Sequence, residues 1–323
     1  MSLLCQIHEG LISQMSILIL ALALDVAVGE PPEIIHPTVM IGKTAEWLSK
    51  RAGRFGSNKR LFGALYASLI VLLAAGSTFL LLEFARMRLG QPALTILGAL
   101  ILKTSFAIRS MNLHVKPIKD ALEDGDLNRA RVVLGKIVRR NTERLDEGLC
   151  ASATIESIAE GTVDGVASPL FYFFLFGVPG AVAYRAINTL DSTVGYKTPT
   201  FMDMGWFSAK LDTAANYLPA RITGIVMILA GSALGRNWRT SLSTMKTDRG
   251  LTESLNAGWP MSAMAGAVSV RLQKIGSYKL GNEFRQPTCR DITPALQIMW
   301  VTIVIFLVVA FGLYFAFSCL LLR

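Results

Sequence analysis

Long apolar runs, separated by short polar or basic stretches, organise this chain. Residues 11–29 form the first run, and Asp25 is the only formal charge in it. The run has no basic start and no small-residue cleavage site, and His8 and Glu9 precede it. It is therefore expected to be a retained membrane helix rather than a signal peptide. Gly29, Pro31 and Pro32 stop it. Residues 61–82 are long enough to cross ~30 Å of hydrocarbon. After Arg86 and Arg88, residues 92–108 return as the second arm of a helical hairpin. Residues 166–183 form a Phe-rich run broken at Gly177-Val178-Pro179-Gly180, the kind of break found where backbone lines an enclosed or wet cavity. Residues 218–234 and 297–322 complete the series, with Gly231 and Gly235 spaced for close helix packing.

The pattern predicts an all-α, polytopic membrane protein with about four to six membrane segments, some of them re-entrant. It divides into residues 1–108 (membrane helices), 109–165 (a cytosolic helical insert), 166–235 (a broken membrane region carrying polar groups), 236–296 (a polar segment) and 297–323 (a last membrane helix).

The polar stretches refine this plan. Residues 43–60 read as a basic cytoplasmic loop, with six Lys or Arg against Glu46 alone. The loop contains Gly42-Lys43-Thr44, but a phosphate-binding P-loop needs glycine where Pro37 stands. The insert predicts two short amphipathic helices with a turn at Asp124-Gly125-Asp126. Leu127, Ala130, Val133, Leu134 and Ile137 would pack as one apolar stripe. Glu156, Glu160 and Asp164 recur every fourth residue, and each step of four on a helix falls only ~40° short of alignment. Like charges so spaced repel, and beside apolar surface they need a cation or another partner. Gly161 is expected to end that helix and leave Asp164 in the next turn. A second polar group follows, with Arg185, Asn188, Asp191, Lys197, Asp203 and Asp212. In residues 256–267, small side chains permit close backbone approach.

Composition agrees with a membrane protein. Of 323 residues, 52% are hydrophobic and 17% charged, against about 25% charged in soluble domains. Mean hydropathy is +0.46. The net charge of +9 sits mostly beside apolar runs, so it reads as positive-inside charge and not as a nucleic-acid surface. Cys5, Cys150, Cys289 and Cys319 have no metal-binding spacing and are expected to be isolated thiols.

Several motifs in a fixed order carry a resemblance. They are Asp25-x-x-x-Gly-Glu-Pro-Pro with His36-Pro37, Thr154-Ile-Glu-Ser-Ile-Ala-Glu160, Asp164-Gly165, Tyr184-Arg-Ala-Ile-Asn188-Thr-Leu-Asp191, Val194-Gly-Tyr196 and Asn256-Ala-Gly-Trp-Pro-Met261. Together they closely resemble the adenosylcobinamide-phosphate synthase family, integral-membrane enzymes of cobalamin biosynthesis. The resemblance implies an ADP-forming ligase that joins adenosylcobyric acid to (R)-1-amino-2-propanol phosphate, or to threonine phosphate, using ATP and Mg²⁺. It implies a cell-membrane location with the site facing the cytoplasm, lipid as surroundings, and other late cobalamin-pathway membrane enzymes as partners.

Such chemistry needs carboxylates for the metal, cations for transferring phosphoryl oxygens, and a base for the amine. The resemblance points to Glu156, Glu160 and Asp164 for the metal, with Asp191 in reserve. Arg139, Arg140, Arg185, Lys197 and Arg221 would meet phosphate. Asn188, Tyr196 and Asn256 join them around substrate, and His36 or Asp25 would be the base. Two departures fall in this region: the family's usual Arg-Asp-Thr is Arg140-Asn141-Thr142 here, and its Ala-Glu-Asn is Ala159-Glu160-Gly161.

Two other classes compete. A CDP-alcohol phosphotransferase needs a motif that Ser168 and Pro169 break after Asp164-Gly165. An ion-coupled transporter or regulatory membrane protein suits acids beside a broken helix, but no inverted repeat is visible. If residues 43–60 and 109–165 share one side, a straight span over 166–183 would carry Arg185 away from the acids. At least one of 166–183 and 218–234 is therefore expected not to span fully.

Overall fold

The computed structural model describes residues 3–31, 36–51, 58–194 and 203–320. Helix dominates: α1 Leu3–Ala27, α2 Pro37–Arg51, α3 Lys59–Leu89, α4 Gln91–Lys103, α5 Ile108–Glu123, α6 Leu127–Leu134, α7 Glu147–Thr162, α8 Ser168–Val194, α9 Trp206–Ala215, α10 Tyr217–Ala233, α11 Trp238–Asp248, α12 Gly258–Val268 and α13 Ile292–Leu320. A π-helix, Val163–Ala167, continues α7. One small antiparallel hairpin, β1 Leu272–Lys274 with β2 Tyr278–Leu280, pairs Gln273 opposite Lys279. By length and composition, four helical stretches suffice to cross a membrane: Lys59–Leu89, Gln91–Glu123, Glu147–Thr193 and Cys289–Ala316. α9 with α10 makes a bent fifth candidate, and Ile12–Ala27 is a shorter apolar helix. The protein is an all-α polytopic membrane protein, as its apolar runs predict.

The chain forms two compact units. The first comprises Met1–Ile108, Ser168–Ala215 and Ala310–Arg323. Within it α1 packs on α4, while α2, α3 and α9 pack on α8. Ala45, Tyr66, Ala67, Leu190 and Met204 form a buried core there. A Cβ at Gly63 would run into the Met204 carbonyl, so glycine is needed for this approach. Along α3 the side chains of Leu65, Leu69, Leu72, Leu80 and Phe84 are exposed, an apolar face suited to lipid. α8 breaks at Gly177, whose φ of 66° favours glycine, and Pro179 follows as a residue with no N–H to donate. Residues 43–51, expected as loop, are helical within α2: Pro37 stands at its start, where a proline's missing N–H costs nothing. Gly42 packs toward Thr189 and Thr193 from inside that helix, so no phosphate loop exists there.

The second unit comprises Arg109–Ala167 and Asn216–Val309. α5 and α6 are the two amphipathic helices of the insert, turned at Gly125 (φ 73°). Asp126 caps α6 by accepting from the Arg129 N–H at 2.9 Å, and Ala130 and Leu134 are its buried face against α7. α7 does not end at Gly161. It runs to Thr162 and passes into the π-helix, so Asp164 stays helical. A glycine with no turn to make and a close neighbour to accommodate continues the helix: a Cβ at 161 would meet the Met111 methyl. The segment 236–296 contains more order than its polarity suggests, because α12 is buried along almost its whole length. Gly266 lies against α11, and a Cβ at Gly231 would sit 3.2 Å from that of Ala267. A Cβ at Gly235 would meet nothing within 4 Å; its φ of 74° closes α10 instead.

Candidate functional site

In the second unit, α7, the loop before it and the β-hairpin converge on Glu156. This carboxylate is buried and fully engaged. Its Oε1 accepts from Ser152 Oγ at 2.7 Å, and its Oε2 accepts from Tyr278 Oη at 2.6 Å and from the Arg140 guanidinium. Arg140 also donates to the Gln273 carbonyl at 3.3 Å, while the Gln273 N–H donates to Ser152 Oγ at 2.8 Å. One network thus ties helix, loop and hairpin together. Burial works against the Arg140 charge, but the Glu156 carboxylate outweighs it and holds the guanidinium above its ordinary pKa. Burial and the same carboxylate push the Tyr278 hydroxyl up, so it stays a donor.

Glu160, one turn further along α7, is exposed. Glu156, Arg140, Lys274 and Arg139 are the charges that act on it. Asp164 lies half-buried in the π-helix. The Asn141 departure keeps a local role, because its Oδ1 accepts from the Glu143 N–H at 2.8 Å and its Nδ2 donates to the Glu143 carboxylate at 3.3 Å. An aspartate would accept the first bond equally well and oppose the second charge.

Arg221 and Asn256, also in this unit, meet directly. Arg221 Nη1 donates to Asn256 Oδ1 at 3.1 Å and to the Tyr217 carbonyl at 2.6 Å.

In the first unit, Arg185 Nη1 donates to Asn188 Oδ1 at 3.5 Å, and Asn188 Nδ2 donates to Asp212 at 3.3 Å. Asp191 lies half-buried nearby on the same helix. Tyr196 and Lys197 lie outside the described residues. A separate group surrounds Lys103, which is buried at the end of α4. Its Nζ lies 3.2 Å from Asp25 and 3.1 Å from Glu30, and His36 Nε2 lies 3.0 Å from Glu30. His36 Nδ1 accepts from the Thr38 N–H at 3.2 Å, which assigns the proton to Nε2 and leaves the ring no spare lone pair. Burial pushes the Glu30 carboxyl up, but the His36 hydrogen bond and the Lys103 charge outweigh it and hold it below the carboxylate range. The two residues proposed as a base, Asp25 and His36, are therefore both committed to this group.

Sequence reasoning missed Lys103, Tyr278 and Ser152. Lys103 stands near the end of the apolar run 92–108, and an ionisable residue in such a run is a functional signal in its own right. Tyr278 had no signal, since only the hairpin carries it to Glu156.

The chain matches the CobD/Cbib protein family over residues 18–316. It belongs to that family. The probable cobalamin biosynthesis protein CobD of Thermoplasma acidophilum is 39% identical over 287 residues, covering 89% of this chain and 93% of that one. The same-named protein of Methanothermobacter thermautotrophicus is 37% identical over 300 residues, covering 93% of this chain and 98% of that one. The cobalamin biosynthesis protein CobD of Pelobacter propionicus is 38% identical over 263 residues, 81% of each chain. No solved structure matches. The resemblance read from the motifs is confirmed at the level of family, and the chain has a role in cobalamin biosynthesis as an enzyme of that pathway.

The acids on α7 do not fit a magnesium site as they stand. Among the described residues, no three His, Cys, Asp or Glu side chains are placed to hold a metal. Glu156 spends both oxygens on Ser152, Tyr278 and Arg140. Cys150 and Cys289 are free thiols.

Proposed function

We propose that this CobD/Cbib member is an ADP-forming ligase, which joins adenosylcobyric acid to (R)-1-amino-2-propanol phosphate or threonine phosphate. The observation that carries this reading is the family match over residues 18–316, whose motif helix α7 bears the buried Glu156 network. ATP is the phosphoryl donor and enters with its own Mg²⁺. The corrin side-chain carboxylate attacks the γ-phosphorus and ADP leaves. The neutral amine then attacks the acyl carbon, the amide forms, and phosphate leaves with the oxygen taken from the carboxylate.

In this reading the Arg140–Glu156–Tyr278–Ser152 network is a rigid floor that fixes the backbone under the reacting groups. Glu160 is the exposed carboxylate at its edge, placed among the Arg139, Arg140 and Lys274 charges. It is the acid free to take a proton from the incoming amine. The enzyme works at the cell membrane with its ATP side toward the cytoplasm, beside other late-pathway membrane enzymes.

Isotope transfer tests the route. With ¹⁸O in the corrin carboxylate, one label must appear in released phosphate for each amide formed. Label retained in the corrinoid product, with none in phosphate, would exclude an acyl phosphate.

A further inference from the structure

Two arginines of the second unit share one tryptophan. The Arg221 guanidinium carbon lies 4.9 Å from the Trp259 ring centroid and the Arg249 carbon lies 4.4 Å from it. The two positive charges are thus held within about 9 Å of each other, where they repel. Nothing among the described residues neutralises them, since neither arginine has an ion pair. The acids closest in sequence to Arg249 are spent elsewhere: Asp248 accepts from the Gly281 N–H at 2.6 Å and Glu253 from Ser277 Oγ at 3.1 Å. By contrast Arg60, which lies over Trp206, is paired with Asp203 at 2.9 Å.

The arrangement is built into the backbone. Arg221 also lies 3.5 Å from the centroid of Tyr217 and is pinned through Nη1 by Asn256 and the Tyr217 carbonyl. Its Nε and Nη2 make no hydrogen bond among the described residues. A Cβ at Gly258 would overlap the Arg249 carbonyl, and one at Gly224 would sit 3.4 Å from Trp259 Cβ. Glycine at both places seats Trp259 against α10 and the end of α11. The unused donors are thus set on a fixed aromatic surface, and guanidinium forks match phosphate oxygens.

We infer that Arg221, Arg249 and Trp259 form a binding site for a phosphate monoester. Such a group carries close to two negative charges at neutral pH, one for each arginine. Two sources share that chemistry: a small soluble monoester, which under the ligase reading is the phosphorylated amine, and a monoester lipid headgroup, since α10 is an apolar helix. The ligase reading enters only in naming the soluble ligand.

Calorimetry on the full chain in phosphate-free detergent, titrated with glycerol 3-phosphate, tests the site. Phosphatidylcholine nanodiscs with and without phosphatidic acid form the second arm. We expect saturable binding in one arm, weakened roughly tenfold or more by R221Q and by R249Q. R249K should fall between, because ammonium keeps the charge and loses the fork. R236Q, an exposed control, should bind as the parent does. Trp259→Phe should abolish the fluorescence change on binding while calorimetry still registers the ligand. Binding in the soluble arm identifies a small ligand and binding only with phosphatidic acid identifies a lipid; either supports the site if R249Q weakens it. No binding in either arm, or binding unchanged in R249Q with an unchanged melting profile, overturns it. If the site fails while ADP release still accompanies amidation, the ligase reading survives; if phosphate binds and no ADP forms, the site survives without it.

Discussion

Removing the Lys103 ammonium isolates one term of the fold. Lys103→Met keeps most of the side-chain volume and deletes the charge. In the structure the Lys103 and Asp25 side chains are 7% and 1% exposed, so the pair is almost wholly desolvated. Glu30 is 29% exposed and also bonds His36, so its share is smaller. Breaking a buried pair by removing one partner costs about 3–5 kcal/mol, because the other charge stays buried without it. We take that range for K103M, set by Asp25. Denaturant titration in micelles, followed by circular dichroism, measures it. Asp25→Asn combined with K103M removes both charges and should recover most of the loss, giving a coupling energy that the single variants lack. A pH series adds a check. Glu30 has a folded pKa below its unfolded value, so its contribution is present above the carboxylate range and is lost as pH falls through the depressed value. K103M should shrink that acid-side loss. A cost under about 1 kcal/mol for K103M, or a double variant weaker than the single one, would refute the buried pair.

Gly63→Val should destabilise the first unit by roughly 1–3 kcal/mol or more, since its side chain must displace the Met204 backbone; an unchanged melting curve would contradict that packing. Tyr278→Phe removes one donor to Glu156 and should cost about 1–3 kcal/mol in the same denaturant assay, with the hairpin becoming more protease-sensitive. In Gly161→Asn the new side chain meets only the flexible end of Met111, so stability should change by less than about 1 kcal/mol.

The fold was legible where apolar runs had clear ends. The helices around residues 61–82 and 218–234, the turn at Gly125 and the break at Gly177 all follow from hydropathy and from glycine or proline. Legibility failed where tertiary contact overrode local preference. Gly161 reads as a terminator, yet Met111 occupies the space a side chain would take and the helix continues. Residues 43–51 read as a charged loop but form α2 on the strength of Pro37 and a face against α8. In the site, the acids of α7 were visible from their spacing, while their partners were not. Ser152 sits one turn before Glu156 and is unremarkable in sequence; Tyr278 lies 122 residues away and only the hairpin brings it in. The Arg221–Asn256 contact joins two residues that were singled out separately, 35 apart in the chain. In sequence Trp259 is visible only as part of the Asn256–Met261 motif, because a shared cation surface has no linear signature.

Turnover of the purified protein with adenosylcobyric acid, aminopropanol phosphate and Mg-ATP decides whether it is an ADP-forming ligase. An ADP-forming ligase releases one ADP for every corrinoid amide formed, measured together by coupled assay and mass spectrometry, and a folded Glu160→Gln variant loses both. Amide-free corrinoid and no ADP from a folded parent protein would contradict it.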